Sequence, residues 1–294
     1  MRKTVLLAVF FVALAAPPAL AAEVNAVASF SILGDMVQRV GGERVAVTTI
    51  VGPNADTHVY EPTPADAAAV SGTQIFYVNG LGFEGWLDRL VEATGFKGRV
   101  VTASAGVKTH IMDEGGTTVT DPHAWQSLRN GLLYVANIAK RLCTVDAAGC
   151  ESYTANAAIY SAELSGLDAE VRAKIAAVPE AQRKVITTHD AFGYFGLEYG
   201  VTFLAPEGIS TDSEASAADV AKLIEQVRAA GVKALFIENM SDPRLVEQIA
   251  RETGAKVGGA LYADALSRPD EPAPTYLDMF RHNIELLVPA LEGK

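Results

Sequence analysis

Residues 151–178 read ESYTANAAIYSAELSGLDAEVRAKIAAV, with Gly166 the one glycine and no proline. Tyr160, Leu164, Leu167, Val171, Ile175 and Val178 recur at helical spacing and fall on one face. At 1.5 Å per residue such a helix runs roughly 40 Å, enough to cross two lobes as a rigid spine. A loose tether between domains would instead be rich in Gly, Ser or Pro. The stretch therefore divides the chain into two globular parts held by one stiff element.

The sequences on either side have the same rhythm. Before the spine, residues 24–29, Val45–Val51, Ile75–Val78 and 99–103 are β-rich and alternate with helical patterns. One of those helices is announced by Thr63, Pro64 and Asp66, which are a cap, a proline at the first helical position and an acidic partner. After the spine, residues 184–188, 201–204, Ala234–Glu238 and Lys256–Leu261 read as strands, with helices over 191–199, 216–230, 242–253 and 275–289. Strand–helix alternation predicts α/β lobes, each a mostly parallel sheet flanked by helices. The expected organisation is a lobe over 22–150, a linking helix over 151–180 and a second lobe over 181–294.

Residues 1–21 read as an address rather than as part of either lobe. Arg2 and Lys3 precede twelve apolar residues from Val5 to Ala16, Pro17-Pro18 ends the run, and Ala19-Leu20-Ala21 has the small-x-small form of a cleavage site. Twelve residues are too few to span a membrane, and no Cys follows the run to carry a lipid. A cleaved secretory signal is expected, and with it a periplasmic protein. The full chain has 24 Lys+Arg against 35 Asp+Glu and a net charge of −11, without a basic stripe. This excludes a nucleic-acid backbone as partner. With 49% hydrophobic and 20% charged residues the chain is not disordered. In the oxidising compartment to which the signal leads, Cys143 and Cys150 read as a disulfide.

Candidate chemistry lies in the histidines. In α/β sheets, ligands gather beyond the carboxyl ends of the strands. His58 lies seven residues past the strand ending at Val51, His123 beyond the strand over 99–103, and His189 directly after 184–188. Asp264 follows the strand ending at Leu261. A single loop His is ordinarily a surface side chain, and an Asp after a strand is ordinarily a cap or turn. Three of only five His at one topological edge, two candidate ligands from each lobe, is harder to attribute to that. Three imidazoles and one carboxylate suit tetrahedral Zn²⁺. Mn²⁺ prefers more carboxylate, Ca²⁺ and Mg²⁺ want oxygen throughout, and Cu²⁺ shares the taste for imidazole. Of the other two, His282 faces away from the apolar stripe Leu277, Phe280, Ile284, Leu287 and Leu291 and is expected in solvent. His110 opens a Gly- and acid-containing stretch over 109–120 that reads as a surface loop, able to capture ions transiently.

Two lookalikes are set aside. Gly80-Leu81-Gly82-Phe83-Glu84-Gly85 matches a dinucleotide fingerprint, but it follows the third strand and has no acidic residue between 99 and 112 to bind a ribose. Glu61 would be the base of a zinc hydrolase, but four protein ligands close the coordination site to water. A supporting role beside the metal, shared with Asp121, fits Glu61 better.

Taken together these residues resemble the periplasmic solute-binding proteins that deliver zinc or manganese to ABC importers. The similarity covers essentially the whole mature chain. It is carried by His58-Val59-Tyr60-Glu61-Pro62-Thr63-Pro64-Ala65-Asp66, by Asn79-Gly80-Leu81-Gly82-Phe83-Glu84-Gly85-Trp86, by Asp121-Pro122-His123-Ala124-Trp125, by Thr188-His189-Asp190-Ala191-Phe192-Gly193-Tyr194-Phe195, and by Asp264. The resemblance implies two α/β lobes joined by one helix and a monomer holding one Zn²⁺ per chain at His58, His123, His189 and Asp264. It also implies a membrane permease as partner, with a periplasmic metallochaperone as a further candidate, and no enzymatic activity. Manganese-selective relatives tend to carry Glu at the position of His189, so His there points to zinc. The chain departs from the pattern at Glu214-Ala215-Ser216 in place of Glu-Pro-Ser, and at Gln126-Ser127 in place of a Leu-Asp-Pro continuation. It also has one His110 where many zinc-type members have a His-rich loop. Mn²⁺ capture, a Glu61 hydrolase and a receptor for an organic ligand such as a siderophore or corrinoid are the competing readings.

Overall fold

The computed structural model describes residues 22–294 apart from 115–116, 213–215 and 233. The expected signal over 1–21 and the Glu214-Ala215 departure therefore lie outside the described residues. The first half runs β1 (Val24–Phe30), α1 (Ser31–Gly41), β2 (Val45–Val51), α2 (Pro64–Ser71), β3 (Ile75–Val78), α3 (Leu87–Thr94) and β4 (Arg99–Thr102). A hairpin of β5 (Ile111–Glu114) and β6 (Thr117–Thr120) follows, then α4 (Leu128–Val145) and the long α5 (Cys150–Ala176). The second half runs β7 (Lys184–Ile186), α6 (Gly193–Tyr199), β8 (Thr202–Leu204), α7 (Ala217–Ala230), β9 (Ala234–Glu238), α8 (Arg244–Thr253), β10 (Lys256–Leu261) and α9 (Tyr276–Leu291).

Both four-stranded sheets are parallel, ordered β2-β1-β3-β4 and β8-β7-β9-β10. Strand for strand, the two halves have one topology. In each, the chain leaves the first strand for one neighbour and then crosses to the other side. That reversal opens a crevice at the carboxyl edge.

Helix α5 is the expected spine. Tyr153, Tyr160, Leu164, Leu167, Val171 and Ile175 are its buried face. It packs on α1 and α4 from the first half and on α6 and α9 from the second. Arg39 of α1 lies 4.9 Å over the Tyr160 ring and ion-pairs with Glu163, while Arg172 pairs with Glu198 of α6. Asp146, ahead of α5, takes Arg44 at 2.8 Å and the Tyr153 hydroxyl at 2.7 Å. The Cys143 and Cys150 sulfurs are bonded across the α4–α5 corner. Thr63 and Asp66 form the capping box anticipated at α2, the side chain of each accepting from the backbone of the other. Among the described residues no helix is long and apolar enough to cross a membrane.

Three local expectations are revised. The strand expected over 184–188 ends at Ile186, because the Thr188 and His189 amides donate to Glu238 instead of to a neighbouring strand. The stretch expected as a surface loop over 109–120 is an antiparallel hairpin, Ile111 opposite Thr120. His282, expected in solvent, is half-buried, with Nε2 3.0 Å from the Ala260 carbonyl and its ring edge-on to Tyr262. Its imidazole is long enough to fold back onto β10.

Because Leu164 is fully buried on the spine, Leu164→Ala should cost about 2–5 kcal/mol in urea unfolding. A loss below about 1 kcal/mol would mean that α5 is not packed as described.

Candidate metal centre

Four loops at the carboxyl edges of the two sheets meet between them. The loop after β2 brings His58, the segment between β6 and α4 brings His123, the turn after β7 brings His189, and the segment after β10 brings Asp264. One donor atom from each lies within 4.8 Å of all the others. His58 Nε2 is 3.3 Å from His123 Nε2 and 3.4 Å from Asp264 Oδ2. Asp264 Oδ2 is 3.1 Å from His189 Nε2, and its Oδ1 is 3.6 Å from His123 Nε2. The side chains of His123, His189 and Asp264 are completely buried, and His58 is 5% exposed.

Three of the four are held from behind. The Asp121 carboxylate sits 2.8 Å from His123 Nδ1 and accepts the His123 amide at 2.9 Å. The Glu238 carboxylate contacts His189 Nδ1 while its other oxygen accepts the Thr188 and His189 amides at 2.9 and 3.1 Å. With Nδ1–H donated to a carboxylate, Nε2 of each ring keeps its lone pair for the centre. Asp264 is fixed through its neighbour, the Ala263 carbonyl, which accepts from Trp125 Nε1 at 2.9 Å and Gln126 Nε2 at 2.7 Å. Tyr276 of α9 donates in turn to the Trp125 carbonyl. The Trp125 ring packs against Phe30 and Phe83, and Phe83 meets His58 edge-on.

Among the described residues His189 Nε2 and both oxygens of Asp264 are buried with no hydrogen-bond partner. Orphaned polar atoms in so dry a place are costly unless another group answers them. Three imidazole nitrogens and a carboxylate oxygen converging on one point are the donor set of a divalent cation. With all three Nε2 atoms unprotonated, hydrogen bonding within the cluster does not satisfy it, because neither lone-pair nitrogens nor carboxylate oxygens can donate to each other; either a cation or protons on the imidazoles must.

The electrostatics agree. Burial alone pushes the His123 imidazole down, but Asp264 and Asp121 outweigh it and raise it to about 9. Burial likewise opposes protonation of His189, yet Glu238 and Asp264 hold it well above the usual imidazole range. Asp264, which burial would raise, is held well below the carboxylate range by those two imidazoles. Such a site takes up protons in place of a cation.

The remaining candidates divide. Asp121 is where it was expected, behind His123. Glu61 is exposed and makes no hydrogen bond to any of the four among the described residues, whereas Glu238, not singled out in the sequence, supports His189. Its signal was a carboxylate at the end of the strand that proves to neighbour β7. His110 stands at the foot of the hairpin, outside the group of four, with Nδ1 3.2 Å from Asp121 Oδ2 and its amide donated to the Tyr194 hydroxyl at 3.0 Å. The Gly80–Gly82 turn has positive φ at Gly80, Leu81 and Gly82. It presents amides to buried Glu84, which accepts from Asn79 N and Ser29 Oγ at 2.6 Å each.

A bilobed α/β protein with a rigid linking helix and a buried four-donor cation site between its sheets belongs to the metal-binding receptors of importers. A family profile described as zinc-uptake complex component A, periplasmic, matches residues 26–290, and the chain belongs to that family. It is 35% identical over 265 residues to the manganese-binding lipoprotein MntA of Halalkalibacterium halodurans, covering 90% of this chain and 87% of that protein. It is 31% identical over 273 residues to the iron-binding protein YfeA of Yersinia pestis, covering 92% and 87%. The periplasmic zinc-binding protein TroA of Treponema pallidum superposes with a TM-score of 0.87 at 28% identity, covering 92% of this chain and 99% of that one. The protein is thus a metal-binding, non-catalytic substrate-binding component of an ABC importer, working outside the cytoplasm with a membrane permease as partner.

The raised His123 fixes the sign of a pH effect. A folded-state pKa of about 9 against an ordinary 6.5 gives stabilisation that is complete below about 6.5 and lost as pH rises through about 9. Chelator-stripped protein should therefore melt at a lower temperature at pH 9 than at pH 6.5. Identical melting at the two would show that His123 is not held by the carboxylates.

Proposed function

We propose that the protein captures one Zn²⁺ per chain at His58, His123, His189 and Asp264 and delivers it to the permease of its importer. The spacing of the donors carries the reading. A regular tetrahedron with arms of about 2.0–2.1 Å has edges of about 3.3–3.4 Å; His58 Nε2 lies 3.3 Å from His123 Nε2 and 3.4 Å from Asp264 Oδ2, His189 Nε2 lies 3.1 Å from that oxygen, and all four donors fall within 4.8 Å of one another. Nitrogen-rich, four-fold donation suits zinc. The cation is cargo, so the site needs no open position for water, and the exposed Glu61 has no reacting group to serve.

Each lobe, over 22–150 and 181–294, supplies two of the four donors, and the helix over 151–180 holds the halves at a fixed separation. Neutral imidazoles are the ligating form, so metal and protons compete for the same nitrogens. We read residues 1–21 as a cleaved signal, on the strength of the apolar run and the Ala19-Leu20-Ala21 cleavage form, and the product as a soluble periplasmic monomer. The Cys143–Cys150 disulfide suits that oxidising compartment.

One observation favours a second cargo. Both Asp264 oxygens face the imidazoles without other partners. Bidentate use of that carboxylate would give five donors, closer to the taste of Mn²⁺, and the relatives named above bind manganese and iron as well as zinc. Elemental analysis of protein purified without chelator, followed by competition, decides between them. Zn²⁺ should displace Mn²⁺ at equal concentration, and retention of Mn²⁺ would make manganese the cargo.

The ligand set is tested separately. His189→Ala should weaken zinc binding by orders of magnitude, while His282→Ala, whose imidazole meets the Ala260 carbonyl and the Tyr262 ring and none of the four donors, should leave it nearly unchanged in calorimetric titration. Equal losses would mean that the centre is wrongly drawn.

A further inference from the structure

The loop over 52–58 leaves a strand of the first half, yet most of its hydrogen bonds run to the second. Asn54, in the left-handed region at φ 55°, donates its amide to Leu266 O at 2.9 Å and its side chain to Glu271 at 2.6 Å, and accepts from Asn239 at 2.9 Å. Two residues on, Asp56 uses both carboxylate oxygens. Oδ1 accepts the His58 amide at 2.9 Å, and Oδ2 accepts the Thr211 hydroxyl at 2.7 Å. Thr211 belongs to the segment that follows β8. That same segment bonds to both flanks of His189, Glu207 N to Thr188 O at 3.3 Å and Asp190 N to Gly208 O at 3.0 Å. One stretch of the second half thus grips the residues around two imidazoles that come from different halves.

From this geometry we infer that Asp56 and Thr211 are positioning residues for His58 and set how long the bound cation is retained. The inference rests on His58 being a metal ligand. The Thr211 hydroxyl holds the Asp56 carboxylate, and Asp56 holds the backbone that aims His58 at Asp264. His58 is the least buried of the four and so the natural first to leave. A cleft of about 420 Å³, lined among others by Asp56, Thr211, Met240 and Asp242, reaches this bond from solvent. Breaking the one bond frees the His58 loop from the second half at that point, while Trp86 Nε1 still holds Thr57 O at 3.0 Å on the first.

The test is the rate at which zinc-loaded protein yields its metal to an excess of chromogenic chelator. A hydrogen bond to a charged group is strong enough that Thr211→Val should speed release ~10-fold, with little change in association. Thr211→Ser, which restores the hydroxyl, should release as slowly as the parent. In an Asp56→Ala background Thr211→Val should add nothing, since its partner is gone. Unchanged release in Thr211→Val, or an effect that persists beside Asp56→Ala, would overturn the inference. His58→Ala serves as the control. If it keeps full zinc affinity the ligand assignment has failed, whereas if it loses zinc and Thr211→Val releases normally, only the positioning role has failed.

Discussion

A carboxylate with no exposure and no hydrogen bond is among the least tolerable groups a folded protein can contain. Asp264 is such a group, and the surrounding construction answers it. Its backbone is pinned through Ala263 by the Trp125 and Gln126 side chains, which follow His123 in the chain. The aromatic cluster of Phe30, Phe83 and Trp125 keeps water from the His58 and His123 side. What remains to compensate the charge is three imidazoles at 3.1 to 3.6 Å and whatever positive species they hold with it.

Charge arithmetic then links binding to protonation. Three buried carboxylates face the imidazoles: Asp264 at the centre, Asp121 behind His123 and Glu238 behind His189. A divalent cation at the centre offsets two of those charges. Without it, two protons perform the same service, one on His123 and one on His189, which are the two imidazoles pushed above their ordinary range. The outer carboxylates are thus more than props for the rings. They keep the site negative enough to prefer a doubly charged cargo, and proton-competent enough to survive losing it. Exchange of cation for protons leaves the net charge of the buried region nearly constant, which limits the electrostatic cost of unloading.

The parts of this structure that were legible in the sequence are those governed by local period and punctuation. The spine announced itself through the Tyr160–Leu164–Leu167–Val171–Ile175 face, and α2 through its Thr63–Asp66 box. Strands β2, β3, β9 and β10 have the expected bounds. Four candidate ligands were legible because topology alone puts them at one edge. What escaped were features created by pairing across distance. Glu238 is an ordinary strand terminus until β9 lies beside β7, and Asp56 is an ordinary turn former until Thr211 arrives from 155 residues away. The hairpin over 111–120 also escaped, because Gly115-Gly116 and neighbouring acids read as loop, whereas the Ile111–Thr120 and Met112–Val119 register makes a ladder. His282 misled for a related reason. Its angle on α9 points away from the apolar stripe, but angular position ignores how far an imidazole can reach.

The shared topology of the halves and the stiffness of α5 together constrain how such a receptor can respond to its cargo. A helix of 27 residues with a buried face along its length offers no hinge of the Gly-rich kind, so it gives the two sheets no pivot for closing around a ligand. The parts free to move are short: the loop carrying His58, the segments flanking His123 and Asp264, and the turn after β7. They are tied by side-chain hydrogen bonds, several of which cross between halves, as Trp125 to Ala263, Asn239 to Asn54 and Thr211 to Asp56 do. A cation that draws four loops to one point tightens all of these ties at once, whereas protons on two imidazoles satisfy the charge without drawing in His58. Any response to cargo that leaves α5 and the two sheets intact falls on the surface where the two carboxyl edges meet, and that surface is where a membrane partner would read it.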